Sequence, residues 1–132
     1  MDNIGYNKNM LSVLVIEDNK EFRLLLRDLL EEAGCRVVEA EDGKEGFDIA
    51  EKNDFDLVIT DILMPNQEGI ETIIGLKKLN PLSKIVAISG GGATQNMTFL
   101  ELAKKLGAYR TLQKPFGLNV IEEIIFELTS KN

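Results

Sequence analysis

The sequence predicts an α/β fold: a parallel β-sheet wound with helices on both of its faces. Two patterns and a length lead there. Short apolar runs such as Leu57-Val58-Ile59 and Ile85-Val86-Ala87-Ile88 lack polar alternation, so they read as strands buried on both faces. Between the runs the apolar period changes to three and four, the mark of helices with one side against a core. The 132 residues, 44% of them apolar, suffice for one domain and are too few for two comfortable ones.

Residues 1–10 are polar, with Gly5 and scattered Asn, and are expected to be a loose arm before a domain at 11–132. Leu11 to Ile16 is the first strand, and it ends on Glu17-Asp18. Phe22, Leu25, Leu26, Leu29 and Ala33 then recur at helical spacing, with Asp18 or Asn19 as cap and Gly34 as stop. Cys35 to Ala40 reads as a second strand, Glu41-Asp42-Gly43 as a turn, and Lys44 to Glu51 as a helix weakened by Gly46. The third strand, built on Leu57-Val58-Ile59, ends abruptly at Asp61.

Pro65 can open a helix, because a first-turn position needs no N–H. That helix is expected from about Asn66 to Leu79, carrying Ile70, Ile73 and Ile74 inward, and Asn80-Pro81 breaks it. Lys84 to Ser89 is the fourth strand. Gly90-Gly91-Gly92 is a flexible connection, and Thr94 can cap a helix that runs to Leu106 and stops at Gly107. Met97, Phe99 and Leu106 read as core residues of that helix. Tyr109 to Gln113 is the fifth strand, ending at Lys114-Pro115. Leu118 to Leu128 closes the chain as a helix with Ile121, Ile124, Ile125 and Leu128 on its apolar side. Five strands alternating with five helices call for a parallel sheet covered on both faces. Only Thr129 to Asn132 follow, so a stand-alone, single-domain form is expected.

Composition narrows the function. A net charge of −7 argues against direct nucleic-acid or anionic-membrane binding, since both need basic surface. The single cysteine, Cys35, permits no intrachain disulfide and reads as a small apolar filler near a strand start. No apolar run nears the roughly 18 residues of a membrane span. The start Met1-Asp2-Asn3 is too polar for a signal peptide, so a cytoplasmic location is expected.

In a parallel sheet the carboxyl ends of all strands share one rim, where ligands bind in open α/β folds. Glu17, Asp18, Asp61, Ser89 and Lys114 would meet there. Any one of these positions is ordinarily a helix cap or a solvated turn residue; three carboxylates, a hydroxyl and an ammonium together on one rim are not. Two carboxylates about 5 Å apart repel by roughly 3 kcal/mol at an effective dielectric near 20, so three of them call for a cation. Mg²⁺ suits a set of oxygen donors. Zinc and copper fit poorly, because the chain has no histidine and its one cysteine lies elsewhere. An aspartate can take a phosphoryl group as an acyl phosphate, with metal and lysine balancing the incoming charge. Gly90-Gly91-Gly92 is no phosphate cradle, for the Gly-Lys-Ser/Thr ending of a P-loop is missing.

These motifs together resemble the receiver domain of two-component response regulators, over roughly residues 11 to 128. The resemblance implies a flavodoxin-like (βα)5 fold with strand order 2-1-3-4-5. It makes Asp61, in Asp61-Ile62-Leu63-Met64-Pro65 with Gly69 eight residues after the acid, the phosphoacceptor. It assigns Mg²⁺ to Glu17, Asp18, Asp61 and the Leu63 backbone carbonyl. Ser89 would meet the phosphoryl oxygen, and Lys114-Pro115-Phe116 matches the family's lysine motif, with a cis Lys114–Pro115 bond. The implied donor is a sensor histidine kinase or a histidine phosphotransfer protein. The chain would then relay the phosphoryl or switch its binding of a partner. It is expected to be a signalling phosphoacceptor rather than an enzyme, catalysing at most its own phosphorylation and dephosphorylation.

One position departs from the pattern. Receivers usually carry Tyr or Phe three residues before the lysine, and here that place holds Thr111. Tyr109, two residues earlier, lies on the same strand face about 6.6 Å away. The aromatic part of the switch made with Ser89 is therefore expected to be absent or displaced, and Tyr109 reads as a packed residue at a strand start. Other functions stay open: a degenerate receiver used as a binding scaffold, or a Mg²⁺-dependent phosphatase of the haloacid dehalogenase kind. The latter wants a second Asp two residues after the first, where Leu63 stands. A flavin-binding protein of this fold needs a hydroxyl-rich phosphate loop where Glu17-Asp18 would repel the ligand.

Overall fold

A computed structural model of the chain describes residues 10–62, 68–90 and 101–130. Five strands form one sheet: β1 (Ser12–Ile16), β2 (Arg36–Ala40), β3 (Leu57–Asp61), β4 (Lys84–Ser89) and β5 (Arg110–Gln113). Every pairing is parallel and the order is β2-β1-β3-β4-β5, as expected. The helices are α1 (Lys20–Glu32), α2 (Gly43–Lys52), α3 (Glu68–Leu79), a described end of α4 at residues 101–105, and α5 (Asn119–Ser130).

The apolar runs are buried on both faces because successive side chains point to opposite sides of the sheet. Val13 and Val15 of β1, Leu57 and Ile59 of β3, and Val86 and Ile88 of β4 pack with Leu26 and Leu30 of α1 and Ile121, Ile124 and Ile125 of α5. Leu14, Ile16, Val58, Ile85 and Ala87 turn the other way, onto Ile73 and Leu76 of α3 and Ala103 of α4. The central strands thus have no solvent face.

Helix edges and faces differ in detail from expectation. Asn19, not Asp18, caps α1; its Oδ1 accepts the Phe22 N–H at 2.8 Å. The buried stripe of α1 is Arg23, Leu26 and Leu30, while Leu25 and Ala33 are exposed and Phe22 and Leu29 are partly buried. On α3 Ile73 and Leu76 face inward and Ile74 is exposed. Gly46 does not weaken α2 without return: a Cβ there would lie 2.7 Å from Ile16 Cγ1, so the missing side chain lets α2 lie close against β1. Gly34 follows the α1 cap with φ of 95°, a left-handed turn that glycine adopts freely. Cys35 and Tyr109 fall just outside their strands, and α5 runs on to Ser130. The expected roles of Leu63, Pro65, Asn66, Gly91, Gly92, Thr94, Met97 and Phe99, and the arm apart from Met10, lie outside the described residues. Among the described residues, no helix is long and apolar enough to cross a membrane.

Candidate functional site

The register builds the rim. Ile16 pairs with Thr60, Asp61 with Ile88 and Ser89 with Gln113. Glu17 and Asp18 therefore follow the end of β1, Asp61 and Ser89 end their own strands, and Lys114 leaves β5 beside them. The backbone carries the ladder one step further: Glu17 N–H donates to the Ala40 carbonyl at 3.0 Å, and Lys114 N–H to the Ser89 carbonyl at 2.7 Å.

At this rim Glu17, Asp18 and Asp61 each offer a carboxylate oxygen, all within 4.8 Å of one another. Glu17 and Asp61 are buried and Asp18 is exposed. Lys114 Nζ lies 3.4 Å from both Glu17 Oε1 and Asp61 Oδ2, while Phe22 presents its ring to the same ammonium, 4.3 Å from the centroid. Burial pushes the Glu17 carboxyl up to about 7. The Asn19 N–H, donated to Glu17 Oε2 at 3.0 Å, opposes that rise, and the Asp61 charge adds to it. Three close acids with one monovalent amine are under-neutralised, and the donor set is all oxygen. That set fits a hard divalent ion such as Mg²⁺ and no soft one.

The remaining expected residues sit as follows. Ser89 is fully buried at the end of β4, and its hydroxyl makes one long bond, 3.4 Å, to the Gly90 carbonyl. Thr111 is half-buried on β5 opposite Ala87. Tyr109 stands at the amino-terminal end of β5, away from the rim. Its hydroxyl donates to Glu127 Oε1 at 2.6 Å, and Lys84 Nζ lies 5.6 Å from its ring centroid. The Lys114–Pro115 bond is cis. Cys35 is buried, and burial, with a contribution from Asp56, pushes its thiol up to about 11, so it is no thiolate nucleophile at neutral pH.

Two supports of the site escaped the sequence reading. Phe22 fits the apolar stripe of α1 and signals only a core residue, and the one sequence signal for Arg23 is its place three residues before Leu26 and seven before Leu30, on their helical face. The guanidinium of Arg23 is buried and donates to the Glu17 carbonyl at 2.9 Å and to Glu39 Oε1 at 2.9 Å. Arg27 donates to Glu39 Oε2 at 3.0 Å. Glu39 on β2 thus holds the arginine that fixes the backbone after β1. Burial alone would raise the Glu39 carboxyl, but the two arginines outweigh it and hold it below its ordinary 4.5. Its contribution to stability is therefore full above that value and lost as pH falls through the lowered one. Glu39→Gln is expected to lower stability by about 1–2 kcal/mol at pH 7. Urea midpoints of parent and variant should converge as pH drops below 4.5.

Residues 13–126 match the family model described as the response regulator receiver domain. The autoinducer 1 sensor kinase/phosphatase LuxN of Vibrio harveyi is 28% identical over 130 residues, 98% of this chain and 15% of that protein. The transcriptional regulatory protein CpxR of Escherichia coli K12 is 33% identical over 108 residues, 82% of this chain and 44% of that protein. The chain thus spans less than half the length of either relative. Sporulation initiation phosphotransferase F of Bacillus subtilis is 26% identical over 86% of this chain and 89% of its own length. Among solved structures, a response regulator receiver domain protein from Clostridium thermocellum superposes with a TM-score of 0.82 at 29% identity, covering 92% of this chain and 95% of that one. A response regulator from Burkholderia pseudomallei, solved with a phosphorylated aspartic acid, calcium ion and citrate, gives 0.77 at 28% identity, covering 91% and 69%.

Proposed function

Because this chain belongs to the response regulator receiver family, we propose that Asp61 is its phosphoacceptor and that a phosphohistidine is the donor. Receivers accept phosphoryl groups from histidine kinases or histidine phosphotransfer proteins, and the chain, lacking any histidine, cannot supply the donor itself. The observation that carries the reading is the shared ammonium: Lys114 Nζ stands 3.4 Å from Asp61 and from Glu17, within a cluster of three carboxylates.

In this reading an ionised Asp61 oxygen attacks phosphorus, the P–N bond of the donor breaks, and its electron pair returns to the imidazole nitrogen, which takes a proton. Glu17, Asp18 and Asp61 would hold Mg²⁺, and that ion supplies charge neutralisation for the phosphoryl oxygens. Lys114 offers a second positive charge 3.4 Å from Asp61. Arg23 keeps the Glu17 backbone in place through its carbonyl. Ser89 waits at the end of the neighbouring strand as a hydroxyl donor to a phosphoryl oxygen. Thr111 replaces the aromatic ring that usually reports this event, and Tyr109 is tied to Glu127 at the far end of β5. Onward relay of the phosphoryl needs no such ring, which favours relay over a ring-driven change of binding face.

Incubation with Mg²⁺ and acetyl phosphate, read by intact mass and by peptide mapping, tests the proposal. One phosphoryl adduct is expected, on Asp61, and chelation of the metal should prevent it. A parent protein that gains no adduct under these conditions sinks the reading.

A further inference from the structure

We propose that Phe22 is a positioning residue for phosphoryl uptake, its ring face seating the Lys114 ammonium opposite Asp61; this rests on the reading of Asp61 as phosphoacceptor. Both contacts of Lys114 with acid measure 3.4 Å, whereas charge-assisted N–H···O bonds settle near 2.7–2.9 Å. The ammonium is thus shared between Glu17 and Asp61 and locked to neither. Its third neighbour is the Phe22 ring, 4.3 Å from the centroid and well inside the roughly 6 Å over which a ring face attracts a cation.

The ring is itself held. Phe116 meets it edge to face, with centroids 6.0 Å apart and planes at 80°. The Phe22 N–H is fixed to Asn19 Oδ1, and the Asn19 N–H to Glu17 Oε2. The residue that caps α1 therefore ties the Phe22 backbone and the Glu17 carboxylate into one unit.

A neutral wall suits this amine better than a third acid. Lysine is a point charge on a flexible four-carbon stem, and without a seat it spreads over many rotamers. Another carboxylate would hold it, but would also cancel the charge that the incoming phosphoryl needs. The ring face restricts the stem and leaves the charge available. Phosphoryl uptake should then scale with the fraction of molecules whose ammonium faces Asp61.

The test compares the parent with Phe22→Leu, which keeps the apolar bulk, and Phe22→Tyr, which keeps the ring. With acetyl phosphate and Mg²⁺, Phe22→Leu should slow phosphoryl uptake about five-fold, and Phe22→Tyr should stay within about two-fold of the parent. In a Lys114→Ala background Phe22→Leu should change the residual rate less than about two-fold, because the ring acts through the lysine. NMR gives a readout independent of phosphorylation: the Lys114 ε-protons should be shifted upfield by ring current in the parent and in Phe22→Tyr, and revert in Phe22→Leu. An unchanged rate in Phe22→Leu, an equal loss in Phe22→Tyr, a loss that persists without Lys114, or ε-protons with no ring-current shift each overturns the positioning role alone. A parent that takes up no phosphoryl overturns the reading of Asp61 and this role with it.

Discussion

Asp61→Asn is expected to abolish phosphoryl uptake completely and, in the absence of divalent ions, to make the protein more stable. The first effect follows because an amide offers no ionised oxygen to phosphorus, and no other carboxylate of the cluster ends a strand beside Ser89. The second follows from counting charges at the rim. Among the contacts of the described residues, removing the Asp61 charge deletes its repulsion with Glu17 and with Asp18, whose oxygens lie within 4.8 Å of its own, and forfeits the attraction to Lys114 at 3.4 Å. At pH 8, above the raised Glu17 value of about 7, all three acids carry charge and roughly one net repulsion disappears. At an effective dielectric near 20, and with Asp18 open to solvent, that amounts to about 1–2 kcal/mol. Urea unfolding in chelator should show a higher midpoint for the variant. Added Mg²⁺ should shrink the difference, since it stabilises the parent by binding the folded cluster. A variant less stable than the parent in chelator would mean the three acids are not in conflict.

Gly69→Ala is expected to destabilise the fold by about 3 kcal/mol and to slow phosphoryl uptake as well, although residue 69 carries no chemistry. A Cβ at this position would fall against the Ile62 Cα, 2.5 Å from its carbonyl oxygen and 2.7 Å from its carbonyl carbon. These are backbone atoms, so no side-chain rotation relieves the clash. Ile62 directly follows Asp61, and its N–H donates to the Ile88 carbonyl at 2.8 Å. Either α3 moves away from the sheet, opening the packing of Ile73 and Leu76, or Ile62 moves and takes Asp61 out of line with Lys114. Chemical denaturation measures the first outcome, and the acetyl phosphate rate in the folded fraction measures the second. A variant with parental midpoint and rate would show that the two backbones are not in contact.

Much of this was readable along the chain. Burial on both faces leaves a mark in consecutive residues, since a strand with no solvent side has no polar alternation. Hence Val13 to Ile16, Leu57 to Ile59 and Ile85 to Val86 to Ile88 announced the sheet. Parallel strands put their carboxyl ends together, so acids after the first and third runs and a lysine after the fifth had to be neighbours once the sheet formed. Helix faces were less legible. Leu25, Ala33 and Ile74 fit an apolar period and yet face solvent, while Arg23 breaks the period and is buried. A charged side chain goes inside where partners wait for it, and Glu39 and the Glu17 carbonyl are sixteen and six residues away.

The amino-acid order by itself determined the α/β class, the succession of elements and the gathering of Glu17, Asp18, Asp61, Ser89 and Lys114 at one rim, because periodicity and strand direction are local properties. The tertiary structure alone decided which neutral and charged groups support that rim: the ring of Phe22 over Lys114, the clamp of Arg23 between Glu39 and Glu17, and the contact of Gly69 with Ile62. Those depend on how closely each helix lies on the sheet, a distance set by the volumes of side chains far apart along the chain, which no single stretch records.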